Sequence, residues 1–174
     1  MHTIELLLDA RLDAGVRDVW RRLHAAGLRS LATHTHPSNR PHVTLVSAAR
    51  LDSAPPALAL PVDVEVGEVT FLGRALVRAV TGPGLRELQA GVWNAVEPVN
   101  PLHAPDRWIP HVSLALNVPT AEHDAALDLL RDLKPAYGQL TAARSYDTGS
   151  RTVTAYPSRN ALEPDDRRPA TPTA

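Results

Sequence analysis

Two short segments of the chain carry the same chemistry-bearing pattern. They are Pro41-His42-Val43-Thr44-Leu45 and Pro110-His111-Val112-Ser113-Leu114, and only a Thr/Ser exchange separates them. In an extended strand, side chains two residues apart leave the same face, ~6–7 Å apart. Each segment therefore presents an imidazole and a hydroxyl together, with Val and Leu turned to the other side. Imidazole is the side chain whose ordinary pKa lets it give or take a proton near neutrality. With both strands on one cleft, one histidine acts as base toward an attacking hydroxyl or water and the other as acid toward the leaving oxygen. The hydroxyls of Thr44 and Ser113 donate to non-bridging phosphate oxygens. Phosphodiester cleavage suits these four groups, and the arrangement requires no metal or other cofactor.

The elements around the two segments are read from periodicity. Thr3 to Asp9 alternates as a strand, and Leu12, Val16, Val19, Trp20 and Leu23 recur at helical spacing, predicting a helix from about residue 12 to Ala26 that stops at Gly27. A loop from Thr33 to Pro41 leads into the first His-bearing strand. After a Pro- and Ala-rich connection over residues 53–61, Val62, Val64, Val66, Val69 and Phe71 mark a strand bent near Gly67 and closed by Gly73. Ala75 to Thr81 then reads as a strand, Leu85, Leu88, Val92, Trp93 and Val96 as a helix, and the second His-bearing strand begins near Trp108. Strand, helix and His-bearing strand thus occur twice, a pattern of duplication that implies a pseudo-two-fold axis. Pro119 to Leu133 predicts a helix with Ala126, Leu127 and Leu130 inward, and Gln139–Tyr146 with Thr152–Tyr156 predicts a hairpin about residues 147–150.

Bulk properties narrow the class. At 174 residues and 44% hydrophobic content the chain suits one domain, expected over residues 1–157. The tail over 158–174 holds few apolar residues and is expected to be disordered. A net charge of -1 argues against a broad footprint for long duplex nucleic acid but not against a small or end-bound phosphate ligand. The absence of cysteine excludes disulfides, a thiolate nucleophile and Cys-bearing zinc sites. No leader-like segment or run of 18 apolar residues is evident, so a cytoplasmic monomer without a membrane partner is expected.

The pair of His-apolar-Thr/Ser-apolar tetrads resembles the 2H phosphoesterase superfamily, particularly its 2'-5' RNA ligase and cyclic phosphodiesterase branch. The resemblance extends over residues 3–156. It implies a bilobal α+β fold, duplicated about a pseudo-two-fold axis, with antiparallel sheets lining a central cleft and helices outside. It also implies action on 2',3'-cyclic phosphates or 2'-5' linkages, with RNA ends or small cyclic nucleotides as partners and reversible ligation as a further activity. The motif carries over His42, Thr44, His111 and Ser113 only. Relatives of the RNA ligase branch often place an Arg soon after the second tetrad, where this chain has Ala115, Leu116 and Asn117.

Further candidates surround the tetrads. Arg40, Arg74, Arg78, Arg107 and Arg151 could bind phosphate oxygens through their guanidinium groups. Trp108 is as well suited to stacking on a base as to packing, and Tyr146 and Tyr156 are cleft-edge candidates whose simpler role is strand packing. His34 and His36 form a His-x-His pair, read as loop residues rather than metal ligands because no nearby carboxylate completes a site. Two other function classes compete with the enzyme: a module that binds nucleotide or RNA ends without turnover, and a histidine-ligated metalloprotein using His34, His36, His42 or His111.

Overall fold

Alternating apolar and polar residues build most strands of the computed structural model, which describes residues 1–51 and 56–160. In chain order the elements are β1 (His2–Leu8), α1 (Ala10–Ala25), β2 (His42–Ala48), β3 (Leu58–Leu60), β4 (Val62–Leu72), β5 (Ala75–Thr81) and α2 (Leu85–Ala95). They continue with β6 (His111–Ala115), α3 (His123–Leu130), β7 (Ala136–Asp147), β8 (Val153–Ala155) and β9 (Ser158–Asn160). The fold is α+β.

Seven strands make one antiparallel sheet in the order β1-β2-β6-β5-β4-β7-β8, and an additional pairing of β1 with β7 closes it into a barrel-like arrangement. The expected antiparallel strands are therefore present, but in one sheet that closes on itself. The long strand β7 makes closure possible: its first residues, Ala136 to Leu140, pair with β4, and Leu140 to Asp147 pair with β1. The sheet places β2 and β6, the two His-bearing strands, side by side, flanked by β1 and β5.

Helix α1 lies where its periodicity predicts and buries Leu12, Val16, Val19, Trp20 and Leu23. Each such side chain contributes ~1.5–3 kcal/mol by leaving water. Its N-cap also fastens it to the sheet. One carboxylate oxygen of Asp9 accepts from the Leu12 N–H at 2.8 Å and the other from the Gln139 N–H at 2.7 Å. A Cβ on Gly138 would stand 2.3 Å from Asp9 Oδ2, so only glycine permits this close approach. The helix ends at Gly27, φ +75°, with Leu28 N–H returning to the Leu23 carbonyl.

The bend near Gly67 is a register shift between Val66 and Val69. Arg78 fills it. Its buried guanidinium donates to the carbonyls of Val66, Gly67 and Lys134, so this candidate phosphate clamp is a structural residue. Arg74 likewise donates to the carbonyls of Asn117 and Val118. Helix α3 spans only His123–Leu130, and of the three residues expected inward Ala126 and Leu130 are buried while Leu127 is exposed. An eight-residue helix has one narrow inner stripe, and i, i+4 spacing fills it.

Two short strands escaped the sequence reading. β3 lies in the Pro- and Ala-rich connection and pairs in parallel with β9, joining Leu58 to Ser158 and Leu60 to Asn160. Order thus runs through Asn160, three residues into the tail expected to be disordered from 158, because burial of Leu58 and Leu60 and a backbone ladder offset the ordering entropy there. Residues 52–55 of the connection and 161–174 of the tail lie outside the described residues. Among the described residues no helix is long and apolar enough to cross a membrane.

Candidate active site

His42 and Thr44 of β2 are half-buried, while Val43 and Leu45 are fully buried; His111, Ser113, Val112 and Leu114 of β6 repeat the pattern. The two strands meet antiparallel at one pair, Val43 with Val112. About this pair His42 and Ser113 lie to one side and Thr44 and His111 to the other, all four side chains on the face opposite Val43 and Val112.

Beyond that single bridge β2 and β6 diverge, and the divergence leaves backbone polar groups without sheet partners. Side chains and loops supply them. Trp108 Nε1 donates to the Thr44 carbonyl at 2.9 Å, and Trp20 Nε1 donates to the Ser113 carbonyl at 3.0 Å. Gln89, buried on α2, donates to the Leu45 carbonyl, and farther along β2 the Ser47 N–H donates to His103 Nδ1 at 2.9 Å. The Val99 N–H completes the set by donating to the Ser47 carbonyl.

Both catalytic candidates have the same tautomer for the same reason. His42 Nδ1 lies 2.7 Å from the Arg40 carbonyl and His111 Nδ1 lies 2.7 Å from the Ile109 carbonyl. A carbonyl only accepts, so each Nδ1 carries the hydrogen, and Nε2 is left to exchange protons. The two surroundings differ. His42 Nε2 lies 3.6 Å from a carboxylate oxygen of Glu5, a residue of β1 that pairs in register with Thr44. Glu5 is buried; Thr3 Oγ1 donates to its Oε1 at 2.6 Å and Arg144 of β7 donates to its Oε2 at 2.7 Å. His111 is flanked in register by Ala79 of β5.

Burial depresses the pKa of His111, the Ile109 carbonyl opposes that in part, and charge on His42 lowers it further. His103 is lowered as well, first by burial and then by charge on His111. His103 accepts from Ser47 with Nδ1, which requires that nitrogen to be unprotonated.

Other candidates distribute unevenly. Arg40 gives its carbonyl to His42 while its guanidinium, largely solvent-facing, lies 3.6 Å from Asp13. Arg107 is exposed next to Trp108. Trp108 itself is buried, with 3% of its surface exposed, so its ring does not stack on a base; it braces β2 instead. Tyr156 is buried too, its N–H on the Ala143 carbonyl, and packs beside β7 rather than edging the cleft. Arg151 is exposed in the β7–β8 turn, which opens at Asp147 opposite His2. His42 pairs with Leu7 at the other end of β1, ~17 Å along the strand, so Arg151 is not brought to the tetrads. His36 Nδ1 pairs with Ser38 Oγ at 2.7 Å in the loop, and among the described residues no three His, Asp or Glu side chains are placed to hold a metal.

Glu5, Arg144, Trp20 and His103 were not singled out as site residues by sequence. A lone acid inside the apolar run Ile4-Glu5-Leu6-Leu7-Leu8 is the one signal that pointed to any of them. Comparison with family models matches residues 15–149, more than half of the chain, to a family described as the 2'-5' RNA ligase superfamily. No curated protein matches the chain.

Proposed function

This chain belongs to the 2'-5' RNA ligase superfamily, of which phosphoesterase or ligase activity is the general property, and on that premise we propose that it opens 2',3'-cyclic phosphates by two-histidine acid/base catalysis without a metal. The observation that carries the reading is the matched pair of Nδ1-anchored histidines on adjoining strands, each two residues from a hydroxyl. The element order β1-α1-β2 and β5-α2-β6, with the two His-bearing strands neighbouring each other, supports reading the halves as copies about a pseudo-two-fold axis.

In this reading His111, whose depressed pKa favours the neutral form, takes the proton of the attacking water through Nε2. His42 delivers a proton to the leaving ribose oxygen, and in its doubly protonated form both of its N–H groups have acceptors at hand, the Arg40 carbonyl and Glu5. Thr44 and Ser113 donate to the non-bridging oxygens, and Glu5 with Arg144 positions His42. 2'-5' ligation is the same chemistry with a ribose 5'-hydroxyl in place of water and the same histidine roles, and the reverse reaction, cleavage of the 2'-5' linkage back to the cyclic phosphate, exchanges them.

The test is turnover of a panel of nucleoside 2',3'-cyclic phosphates and cyclic-phosphate-ended RNA, in EDTA, by wild type, His42→Ala and His111→Ala. Turnover in wild type and its loss by ~100-fold or more in both variants is expected for an acid/base pair. A folded wild type that binds these ligands without turning any over would favour a binding module.

A further inference from the structure

The guanidinium of Arg78 has donors and charge that the fold does not use. Its three hydrogen bonds, to the carbonyls of Gly67, Val66 and Lys134, employ Nε and Nη2. A guanidinium carries five N–H donors, so the two on Nη1 are left without an acceptor among the described residues. No carboxylate among those residues pairs with the group either, although only 5% of Arg78 is exposed. Burial pulls its pKa down from the ordinary value, yet an arginine keeps its proton in a protein. A buried cation with idle donors and no counter-charge is unfavourable unless an anion reaches it.

Arg78 lines a cavity of about 470 Å³ between α1 and the sheet, whose walls include Leu12, Val16 and Val19 of α1 and Val66 of β4. Among the described residues, no acidic side chain and no member of the tetrads belongs to this wall. Arg11 also borders it, but its charge already acts on Asp9. The mouth is set by Gly15, an exposed residue in the middle of α1. Glycine is a poor choice inside a helix, and packing does not demand it here, because a Cβ on Gly15 would meet no atom within 4 Å. What the glycine does is leave an entrance. A longer side chain at this position would lean toward the preceding turn, over Arg11 and Leu12, and cover it.

We propose that this cavity is a binding site for a small amphipathic carboxylate, a straight-chain acid of about eight carbons, whose carboxylate accepts from Nη1 of Arg78 and whose chain lies along Leu12, Val16 and Val19. One uncompensated cation selects an anion of one charge, which favours a carboxylate over a phosphate monoester with nearly two. The aliphatic wall selects the rest of the ligand, since an apolar chain leaves water on entering and makes no demand for hydrogen bonds. The site is separate from the tetrads and does not rest on the phosphodiesterase reading.

Calorimetry at neutral pH with octanoate and octanamide tests the site. Wild type is expected to bind octanoate with a Kd of ~0.1–1 mM and octanamide at least ~10-fold more weakly, because the amide has the same chain without the charge. Gly15→Leu is expected to close the mouth and weaken octanoate binding ~10-fold or more while melting at or above the wild-type temperature, since leucine is the better helix former. Binding lost at undiminished stability separates a blocked cavity from a damaged fold. Side-chain N–H resonances of Arg78 should shift on adding octanoate to wild type and stay in place in Gly15→Leu. No octanoate binding by wild type, equal affinity for octanamide, or octanoate binding undiminished in Gly15→Leu would overturn the site, and the comparison of acid with amide needs no variant.

Discussion

The indole Nε1 of Trp108 donates a 2.9 Å hydrogen bond to the backbone carbonyl of Thr44, and so holds the first tetrad where β2, still paired with β1, no longer pairs with β6. Trp20 does the same for Ser113 at 3.0 Å. Two tryptophans from distant parts of the chain thus serve the two hydroxyl-bearing residues at the point where β2 and β6 part. The divergence that opens space for a ligand and the bonds that make it tolerable are one feature of the fold.

Replacing Trp108 by Phe retains most of the apolar bulk and removes only the donor. The Thr44 carbonyl is then buried without a partner, and ~1–3 kcal/mol of stability should be lost in urea denaturation, with a similar loss for Trp20→Phe. Because β2 is then held at Thr44 from the β1 side alone and the Thr44 hydroxyl is less well placed, kcat on a cyclic phosphate should fall ~10-fold with little change in KM. A Trp108→Phe enzyme as stable and as fast as wild type would show that the hydrogen bond positions nothing.

Glu5 and Arg144 form a buried ion pair, 2.7 Å long, with 5% and 7% of their side chains exposed. Removing one member leaves the other charge uncompensated, so Glu5→Gln should destabilise the fold by ~3 kcal/mol. The double variant Glu5→Gln/Arg144→Met removes both charges and should recover most of that stability. It should not recover activity, because the carboxylate 3.6 Å from His42 Nε2 is still missing. Stability and activity rising together in the double variant would mean that Glu5 matters only to folding.

Asp9 joins α1 to β7. Burial tends to raise its pKa, but N–H groups from Leu12, Gln139 and Arg11 and the charge of Arg11 outweigh that, and the net direction is down from 3.8. A carboxylate lowered on folding contributes stability that is fully present above its unfolded pKa and lost as pH falls through the folded value. Wild type should therefore lose this contribution below about pH 4, a loss absent in Asp9→Ala, which should already be ~1–2 kcal/mol less stable at neutral pH through its missing cap. Gly138→Ala should be at least as damaging, since its Cβ would stand 2.3 Å from Asp9 Oδ2 and 2.8 Å from Leu12. Thermal melts between pH 3 and 7 check all three chains.

The tetrads were legible in sequence because alternation with period two is a local property: Pro-His-Val-Thr-Leu states by itself which side chains share a face. Helix α1 and the bulge at Gly67 were legible for the same reason. What the sequence could not state was partnership. Glu5 and Arg144 are 139 residues apart, and nothing near either identifies the other. Trp108 was evenly balanced between stacking and packing because a tryptophan near a ligand site serves either role, and only the divergence of β2 from β6 decides the matter. Strands β3 and β9 are three residues each in Pro-rich surroundings, too short to show a period, and form because they find one another.

Roles for the two histidines can be separated by pH. The pKa of His111 lies below the ordinary 6.5, chiefly through burial, with the Ile109 carbonyl opposing and charge on His42 reinforcing the shift. If neutral His111 is the base, the acid limb of the kcat/KM profile for a cyclic nucleotide should have its midpoint below about pH 6.5. Weakening the burial should move that limb upward: Ala79→Ser, which places a hydroxyl beside His111 in register, is expected to raise the midpoint while retaining activity. Stability has a matching sign. Between the lowered folded pKa and 6.5 the unfolded chain binds more protons, so stability rises with pH across that window and is lost as pH falls through it. His111→Asn should reduce that slope, leaving the share of His103, which is lowered too, and should lower turnover by ~100-fold or more. Should the acid limb survive unchanged in the residual activity of His111→Asn, the base is another group, and His42 is the next to test.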